Sequence, residues 1–303
     1  MWYSCNWKPQ LRTGQRVTES SRSLPLVLHN RRREAEDGDR QNCENEVYGD
    51  RMTFCLGITV EDGLVGIADT RVLSGNESMI AKKVATYQGP GFSFFIMSSG
   101  LRSLRDKILL CFEETYSRHI ETRDRLFKIV NLYASQVRRV AEEDGGAIRA
   151  SEMRFNIHSL IGGQMSADSA HRLFMVYPEG NWVEVGPDTP YQIIGNSGFG
   201  KPILERSLTH EDPILYAFKL GILAFDATRL CAADVDFPID LLLYTRGSFR
   251  LIEHRFQRDD LRQISNWWQE RMRCAVDELP SKWVESAFNK LGAVEVPPDP
   301  PDT

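Results

Sequence analysis

The character of the sequence changes at Met52, and this change constrains the fold more than any other feature. Residues 1–51 are rich in charge, above all in residues 30–40, and hold one short apolar run at 24–28. Residues 53–60 are instead rich in β-branched and aromatic side chains, as a strand should be. We therefore predict a disordered extension over 1–51 and a folded domain that begins near position 52. The extension is a pro-segment, a regulatory tail, or the result of a misassigned start codon with Met52 as the initiator.

After position 52 the chain alternates between strand blocks and helical blocks. A turn signal at Asp62-Gly63 joins two apolar runs and favours a tight hairpin. Two blocks of strands, each followed by a pair of helices, predict one α+β domain over residues 52–280, in which two sheets lie between helical layers. A Pro-rich tail is predicted over 281–303. The predicted strands are 53–60, 64–69, 83–87, 92–98, 159–163, 171–177, 182–185, 192–194, 239–244 and 249–256, and the predicted helices are 101–117, 122–142, 202–207, 214–232 and 259–277.

Two local signals set the predicted ends of helices. The run Glu142-Glu143-Asp144-Gly145-Gly146 is expected to stop the second helix, because paired glycines disfavour helical backbone. Asp212 followed by Pro213 is expected to start the fourth, with Asp212 as its N-cap.

The composition argues against several classes of protein. With 37 Lys and Arg against 42 Asp and Glu, the chain lacks the excess of basic residues that sequence-independent nucleic-acid binding needs. No run approaches about 18 consecutive apolar residues, so no membrane span is predicted. The six cysteines form no CxxC pair, which indicates neither a zinc site nor a disulfide framework and favours a cytoplasmic location. We expect no cofactor and no metal.

The junction at Met52 also carries the main functional signal. If the residues before Thr53 are removed, Thr53 gains a free α-amine, whose ordinary pKa of about 7.7–8.0 lets it accept a proton from its own hydroxyl. Such a nucleophile needs a nearby cation and a carboxylate to hold that cation. Asp69, at the end of the second predicted strand, and Lys83, at the start of the third, are the candidates. Taken singly, each of these residues has an ordinary structural explanation, and only the ordered set favours catalysis.

Several segments resemble proteasome-type β subunits, in particular the bacterial homologues called Anbu. The resemblance covers most of residues 52–260 and is carried by residues 52–71, 82–84, 98–100, 194–204, 225–228 and 237–241, with Gly-Lys-Pro-Ile-Leu at 200–204 as its most specific marker. It implies an αββα Ntn-hydrolase fold and threonine peptidase chemistry.

The resemblance also implies roles for individual residues. Thr53 matches the nucleophile, Asp69 the carboxylate that orients the lysine, and Lys83 that lysine, although Lys82 lies next to it. Three further matches are Gly100, whose backbone N–H would stabilise the oxyanion, Asp226, a carboxylate supporting the threonine amine and hydroxyl, and Ser197, a small polar partner of the amine. The positions Thr228 and Asp240 match less clearly.

Three functions remain open at this point. The first is a threonine endopeptidase that acts on peptides or unfolded proteins and forms a homo-oligomeric ring or helical assembly, as the resemblance implies. The second is a non-proteolytic scaffold subunit whose N-terminus stays blocked. The third is an amide hydrolase acting on small molecules. Cys55 is expected to be a core thiol, and Trp267-Trp268 is expected to pack or to contact another subunit.

Overall fold

A computed structural model of the protein describes residues 53–74, 77–118 and 124–288. These residues fall in two units that divide between Asn266 and Trp267. The predicted extension over 1–51 lies outside the described residues, as does the predicted tail from position 289 onward. No helix among the described residues is long and apolar enough to cross a membrane.

The first unit, which ends at Asn266, contains all of the described strands. They are β1 Phe54–Val60, β2 Gly63–Asp69, β3 Arg71–Ser74, β4 Glu77–Ile80, β5 Val84–Gly89, β6 Phe92–Ser99, β7 His158–Gln164, β8 Arg172–Val176, β9 Trp182–Glu184, β10 Tyr191–Gly195, β11 Ile239–Thr245 and β12 Leu251–Phe256. The helices are α1 Arg102–Arg118, α2 Leu126–Ala150, α3 Lys201–Ser207, α4 Ile214–Cys231, α5 Arg258–Asp277 and α6 Glu285–Phe288, with a 3₁₀ turn at Lys282–Val284.

The strands form two antiparallel five-stranded sheets and a separate hairpin. The first sheet has the order β10-β1-β2-β11-β12 and the second the order β5-β6-β7-β8-β9. The predicted Asp62-Gly63 turn joins β1 to β2, with Val60 opposite Gly63 in the ladder. The small hairpin β3–β4 pairs Arg71 with Ile80.

The central strands of both sheets are buried on both faces. In the first sheet β1 and β2 are buried at every residue, and in the second β6 is buried at every residue after Phe92. Phe54, Leu56 and Ile58 alternate onto one face of the first sheet and pack with residues of α3 and α4. The second sheet packs on α1 and α2 through a cluster that includes Phe94 and Phe112. A third cluster, with Cys55 and Phe95 among its members, joins strand residues of both sheets. The fold is therefore a mixed α/β structure with antiparallel sheets.

Two of the predicted helix signals are wrong, and the small hairpin β3–β4 is not among the predicted strands. Helix α2 continues through Gly145 and Gly146 to Ala150. Two glycines cost a helix roughly 1 kcal/mol each, and the buried Ile148 beyond them gives the added turn an apolar contact. Pro213, not Asp212, is the N-cap residue of α4, because the Asp212 carboxylate accepts hydrogen bonds from the backbone and side chain of Thr209.

Among the cysteines that the structure describes, Cys55, Cys111 and Cys231 are free thiols. Cys55 is fully buried between the sheets, as a core thiol.

Candidate active site

The site is built around the head of β1, where Thr53 precedes the first strand residue. The Thr53 carbonyl accepts a hydrogen bond of 2.7 Å from the Asn196 amide, just after β10. This close approach requires glycine at position 195, because a Cβ there would lie 2.1 Å from the Thr53 carbonyl oxygen. Gly195 also has a φ of +85°, which favours glycine. The loop after β10 therefore fixes the backbone of Thr53 in place.

The carboxylate of Asp69 is the centre of the site. It ends β2 and is fully buried. Its Oδ1 accepts hydrogen bonds from the Thr53 hydroxyl at 2.7 Å and from the Phe54 amide at 2.8 Å. Its Oδ2 accepts one from the Arg71 amide at 3.1 Å. The hairpin β1–β2 brings Thr53 and Asp69 together, because its first strand begins where its second ends.

Lys83 completes the constellation from the segment just before β5. Its Nζ lies 2.7 Å from Asp69 Oδ1 and 2.7 Å from the Arg71 carbonyl oxygen. Lys83 is buried, whereas Lys82 points its exposed side chain to Glu253. The structure thus brings Lys83, and not Lys82, to Asp69. The Thr53 hydroxyl and the Lys83 ammonium donate to the same carboxylate oxygen, so a positive charge lies close to the threonine oxygen.

Burial governs the titration of the groups around this centre. It raises the pKa of Asp69, while the charge of Lys83 and the hydrogen bonds to the carboxylate act against that rise. Burial likewise raises the pKa of Cys55 to about 12. Cys55 therefore stays a neutral thiol at physiological pH. The Thr53 hydroxyl, directly before β1, is the candidate nucleophile instead.

A cavity of about 310 Å³ opens beside Thr53. Its wall includes Thr53, Lys83, Ser99 and Gly100, so the end of β6 faces the same space as the head of β1. Gly100 has a φ of +128°. This left-handed backbone turns the chain from β6 into α1 and places position 100 on the cavity wall. The predicted oxyanion residue therefore lies next to the predicted nucleophile.

We expect Gly100→Ala to disturb this wall. The added Cβ would lie 2.4 Å from the Asn156 carbonyl oxygen, and the φ of Gly100 disfavours any side chain. Both effects shift the backbone at the position predicted to bind the oxyanion, and losing one such donor costs roughly 10²–10³-fold in kcat. Steady-state kinetics on a peptide substrate would measure this. Gly186→Ala is the matched control, because no atom lies within 4 Å of a Cβ at that position.

The structure does not bring Asp226 to Thr53. Asp226 lies in α4, where its carboxylate accepts hydrogen bonds from Arg229 at 2.9 Å and from Ser265 at 3.0 Å. Thr228 and Asp240, which match the family less clearly, also form hydrogen bonds with residues other than Thr53. The Thr228 hydroxyl donates to the Ala224 carbonyl, and Asp240 holds Arg255 through two hydrogen bonds. These residues have structural partners within their own elements or in the neighbouring strand or helix.

Ser197 lies in the loop that holds Thr53. It is half-buried and directly follows Asn196, whose amide bonds Thr53. Its carbonyl accepts a hydrogen bond from the Lys201 amide at the start of α3. The structure thus places Ser197 close in the chain to the anchor of Thr53.

Sequence reasoning missed two residues near the centre. Arg71 contributes its amide to Asp69 and its carbonyl to Lys83, which its position two residues after Asp69 could have indicated. Asp234 is a half-buried carboxylate whose pKa is raised by burial, and the charges of Lys83 and Arg71 act against that rise. It comes from the loop between α4 and β11, eight positions after the Asp226 that the resemblance selected.

The described side chains do not indicate a metal centre. Within residues 53–74, 77–118 and 124–288, no three His, Cys, Asp or Glu side chains are grouped so as to hold a metal ion.

Comparison with solved structures gives strong matches to one family. The chain superimposes on an Anbu (Gly-1) mutant from Hyphomicrobium sp. strain MC1 with a TM-score of 0.70 and 32% identity, covering 75% of this chain and 97% of that one. It matches Anbu, the ancestral β-subunit, from Yersinia bercovieri with a TM-score of 0.70 and 27% identity over 75% and 98% of the two chains. It matches the helical assembly of the Anbu complex from Pseudomonas aeruginosa with a TM-score of 0.69 and 27% identity over 76% and 98%. No protein-family model matches the chain, and no curated protein does.

Proposed function

The chain belongs to the Anbu family of proteasome-like proteins, and from that premise we propose that it is a threonine endopeptidase. Its nucleophile is the Thr53 hydroxyl, which becomes active when Thr53 is the first residue of the chain. The observation that carries this proposal is the contact of Thr53 and Lys83 with one oxygen of Asp69, both at 2.7 Å. This contact lies on the wall of a cavity large enough for a side chain of a peptide.

The proposed reaction starts with a proton transfer within Thr53. The free α-amine accepts the hydroxyl proton, directly or through water, and the oxygen attacks the carbonyl carbon of a peptide bond. The Lys83 ammonium favours the deprotonated oxygen, and Asp69 holds Lys83 in place. The protonated amine then gives its proton to the departing nitrogen as the C–N bond breaks. Water hydrolyses the ester that remains on Thr53 and restores the hydroxyl.

Two further residues support the reaction in this proposal. The Gly100 amide donates to the oxygen that gains negative charge when the carbonyl is attacked. Ser197 is our candidate partner for the α-amine, supported by its position directly after the residue that bonds the Thr53 carbonyl. The peptide class of substrate follows from the family and from the open cavity beside the nucleophile.

We extend the proposal to the layers of the fold and to assembly. The three apolar clusters, helix on sheet, sheet on sheet and sheet on helix, support a four-layer αββα sandwich of the Ntn-hydrolase type. The helical assembly known for the Anbu complex from Pseudomonas aeruginosa supports a homo-oligomer of this chain. A ring or helical assembly would limit access to the site to extended or unfolded chains.

The mature N-terminus tests the proposal most directly. We expect mass spectrometry of the purified native protein to find Thr53 as the first residue, and the same preparation to cleave a mixture of unfolded polypeptides. Cleavage would generate new amine termini, which can be counted by labelling. A chain that retains residues 1–52 and cleaves nothing would contradict the proposal and favour the scaffold. Cleavage of acylated amino-acid amides without cleavage of peptides would favour a small-molecule amidase.

A further inference from the structure

The wall of the cavity beside Thr53 carries positive charge that the proposed reaction does not use. Besides Lys83, the cavity is lined by Arg102 and Arg105 from the first turn of α1, and among the described side chains no carboxylate lines it. Arg105 is the more deeply placed of the two, with a side chain only 7% exposed, whereas the side chain of Arg102 is 53% exposed. Of the two arginines, Arg105 therefore lies deeper in the cavity wall and Arg102 lies nearer to solvent.

The carboxylate of Asp106 accepts hydrogen bonds from both arginines. Asp106 accepts Arg105 Nε at 3.1 Å on its Oδ1 and Arg102 Nε at 3.3 Å on its Oδ2. Arg105 Nη2 shares the same Oδ1 at 3.0 Å. Two positive charges thus meet one negative charge, and Lys83 is already balanced by Asp69. The group formed by Arg102, Arg105 and Asp106 keeps a net charge of +1 beside the cavity.

The Arg105 side chain is largely removed from bulk solvent, because only 7% of it is exposed. Among the groups that act on the buried Cys55, whose pKa is raised by burial to about 12, Arg105 is one that opposes the rise. Cys55 lies in β1, two residues after Thr53, so this field reaches the strand that carries the nucleophile. A cation removed from water in this way is stabilised when an anion enters the same space.

We propose that this cavity receives the side chain that precedes the cleaved bond, and that Arg105 selects an acidic side chain there, aspartate or glutamate. This inference rests on the proposed peptidase function and names its preferred substrate. A guanidinium offers five N–H donors in a planar fork that fits a carboxylate. The Asp106 carboxylate engages Nε and Nη2 of Arg105, and no hydrogen bond among the described residues engages Nη1. The apolar part of the wall, Val72 and Met79 from the β3–β4 hairpin, packs on the methylene groups of that side chain.

The test compares two peptides that differ only in having Glu or Gln before the cleaved bond. A charge-assisted hydrogen bond to Arg105 predicts that kcat/KM is higher for the Glu peptide by roughly ten- to hundredfold. The same two peptides are titrated against a Thr53→Ala protein that has residue 53 as its verified N-terminus, where binding is measured without turnover. The Glu peptide is expected to bind more tightly by a similar factor. Equal binding, or preference for Gln, overturns the inference.

Three variants assign the preference to Arg105. Arg105→Gln is expected to reduce the Glu-to-Gln ratio to about one to threefold, because the remaining arginine, Arg102, is solvated. Asp106→Asn removes the competing carboxylate and should raise the ratio several-fold. Asp106 is 49% exposed, so this variant tests the inference even if Arg105→Gln fails to fold. Arg139→Gln, which breaks an exposed Arg–Glu pair in α2, is the matched control and should leave the ratio unchanged.

The outcomes separate this inference from the peptidase proposal. If the wild-type protein cleaves neither peptide but Thr53→Ala binds the Glu peptide more tightly, the acidic preference stands and the catalytic proposal fails. If the protein cleaves peptides with a ratio near one that neither Arg105→Gln nor Asp106→Asn alters, the catalytic proposal stands and the acidic preference fails.

Discussion

Thr53→Ala is expected to reduce kcat for a peptide substrate by roughly 10⁴-fold or more, because it removes the atom that attacks the carbonyl. Cys55 is the nearest other nucleophile in β1, and burial holds it as a neutral thiol in the core between the sheets. The measurement is steady-state turnover of a fluorogenic peptide by wild-type and variant proteins that both have residue 53 as their verified N-terminus.

The same variant should remain folded. The Thr53 hydroxyl donates one hydrogen bond to Asp69, which keeps its bonds from Phe54, Arg71 and Lys83. Losing one such bond costs about 1–3 kcal/mol of unfolding free energy. Chemical denaturation followed by circular dichroism would measure this cost. A folded variant without turnover separates the chemical role of the hydroxyl from its structural role.

Two controls make this result specific. Thr53→Ser keeps a hydroxyl on the same backbone and should retain a substantial share of the activity. Thr228→Ala removes another buried threonine hydroxyl, which bonds only the Ala224 carbonyl within α4, and should lower stability slightly with turnover unchanged. If Thr53→Ala kept the wild-type rate, the nucleophile would lie elsewhere and the proposed function would be wrong.

The central residues could be predicted from sequence because they lie on consecutive segments of the chain. Thr53 lies directly before β1 and Asp69 ends β2, so one tight turn at Asp62-Gly63 is enough to bring them together. Lys83 follows after one further small hairpin. Antiparallel pairing of neighbouring segments is the part of topology that local patterns specify best.

The parts that sequence reasoning missed depend on contacts between distant segments. Asp226 matches a family position, and its carboxylate accepts hydrogen bonds from Arg229 within α4 and from Ser265 in α5, the second of which no local pattern shows. Asp234 lies in the loop before β11, which pairs with β2, and the charges of Lys83 and Arg71 both act on its carboxylate. The helix end predicted at Gly145 and Gly146 is wrong because the sequence pattern does not show the tertiary contact of Ile148. This apolar contact outweighs the low helix propensity of the two glycines.

Lys83→Ala and Lys82→Ala form a pair of neighbouring substitutions with opposite expected results. The Lys83 side chain is 3% exposed and its ammonium holds both Asp69 and the Arg71 carbonyl. The Lys82 side chain is 44% exposed and pairs with Glu253. We expect Lys83→Ala to lower kcat at least roughly 10²–10³-fold, because the charge that favours the deprotonated Thr53 oxygen is lost. Lys82→Ala should stay within about twofold of wild type.

The two variants should also differ in stability. Removing Lys83 leaves the buried Asp69 carboxylate without its cation, and breaking a buried pair in this way costs about 3–5 kcal/mol. Removing Lys82 breaks a surface pair worth about 0–1 kcal/mol. Denaturant unfolding of the two variants side by side would measure the difference. Equal losses of activity would show that the lysine assignment is wrong.

A double variant separates the catalytic effect of Lys83 from its effect on folding. In Lys83→Ala with Asp69→Asn, the residue at position 69 carries no charge, so part of the lost unfolding free energy should return. Activity should not return, because the cation near the Thr53 oxygen is still absent. Recovery of stability without turnover would mean that Lys83 acts on the reaction through its charge, whereas recovery of both would mean that it serves only to neutralise a buried carboxylate.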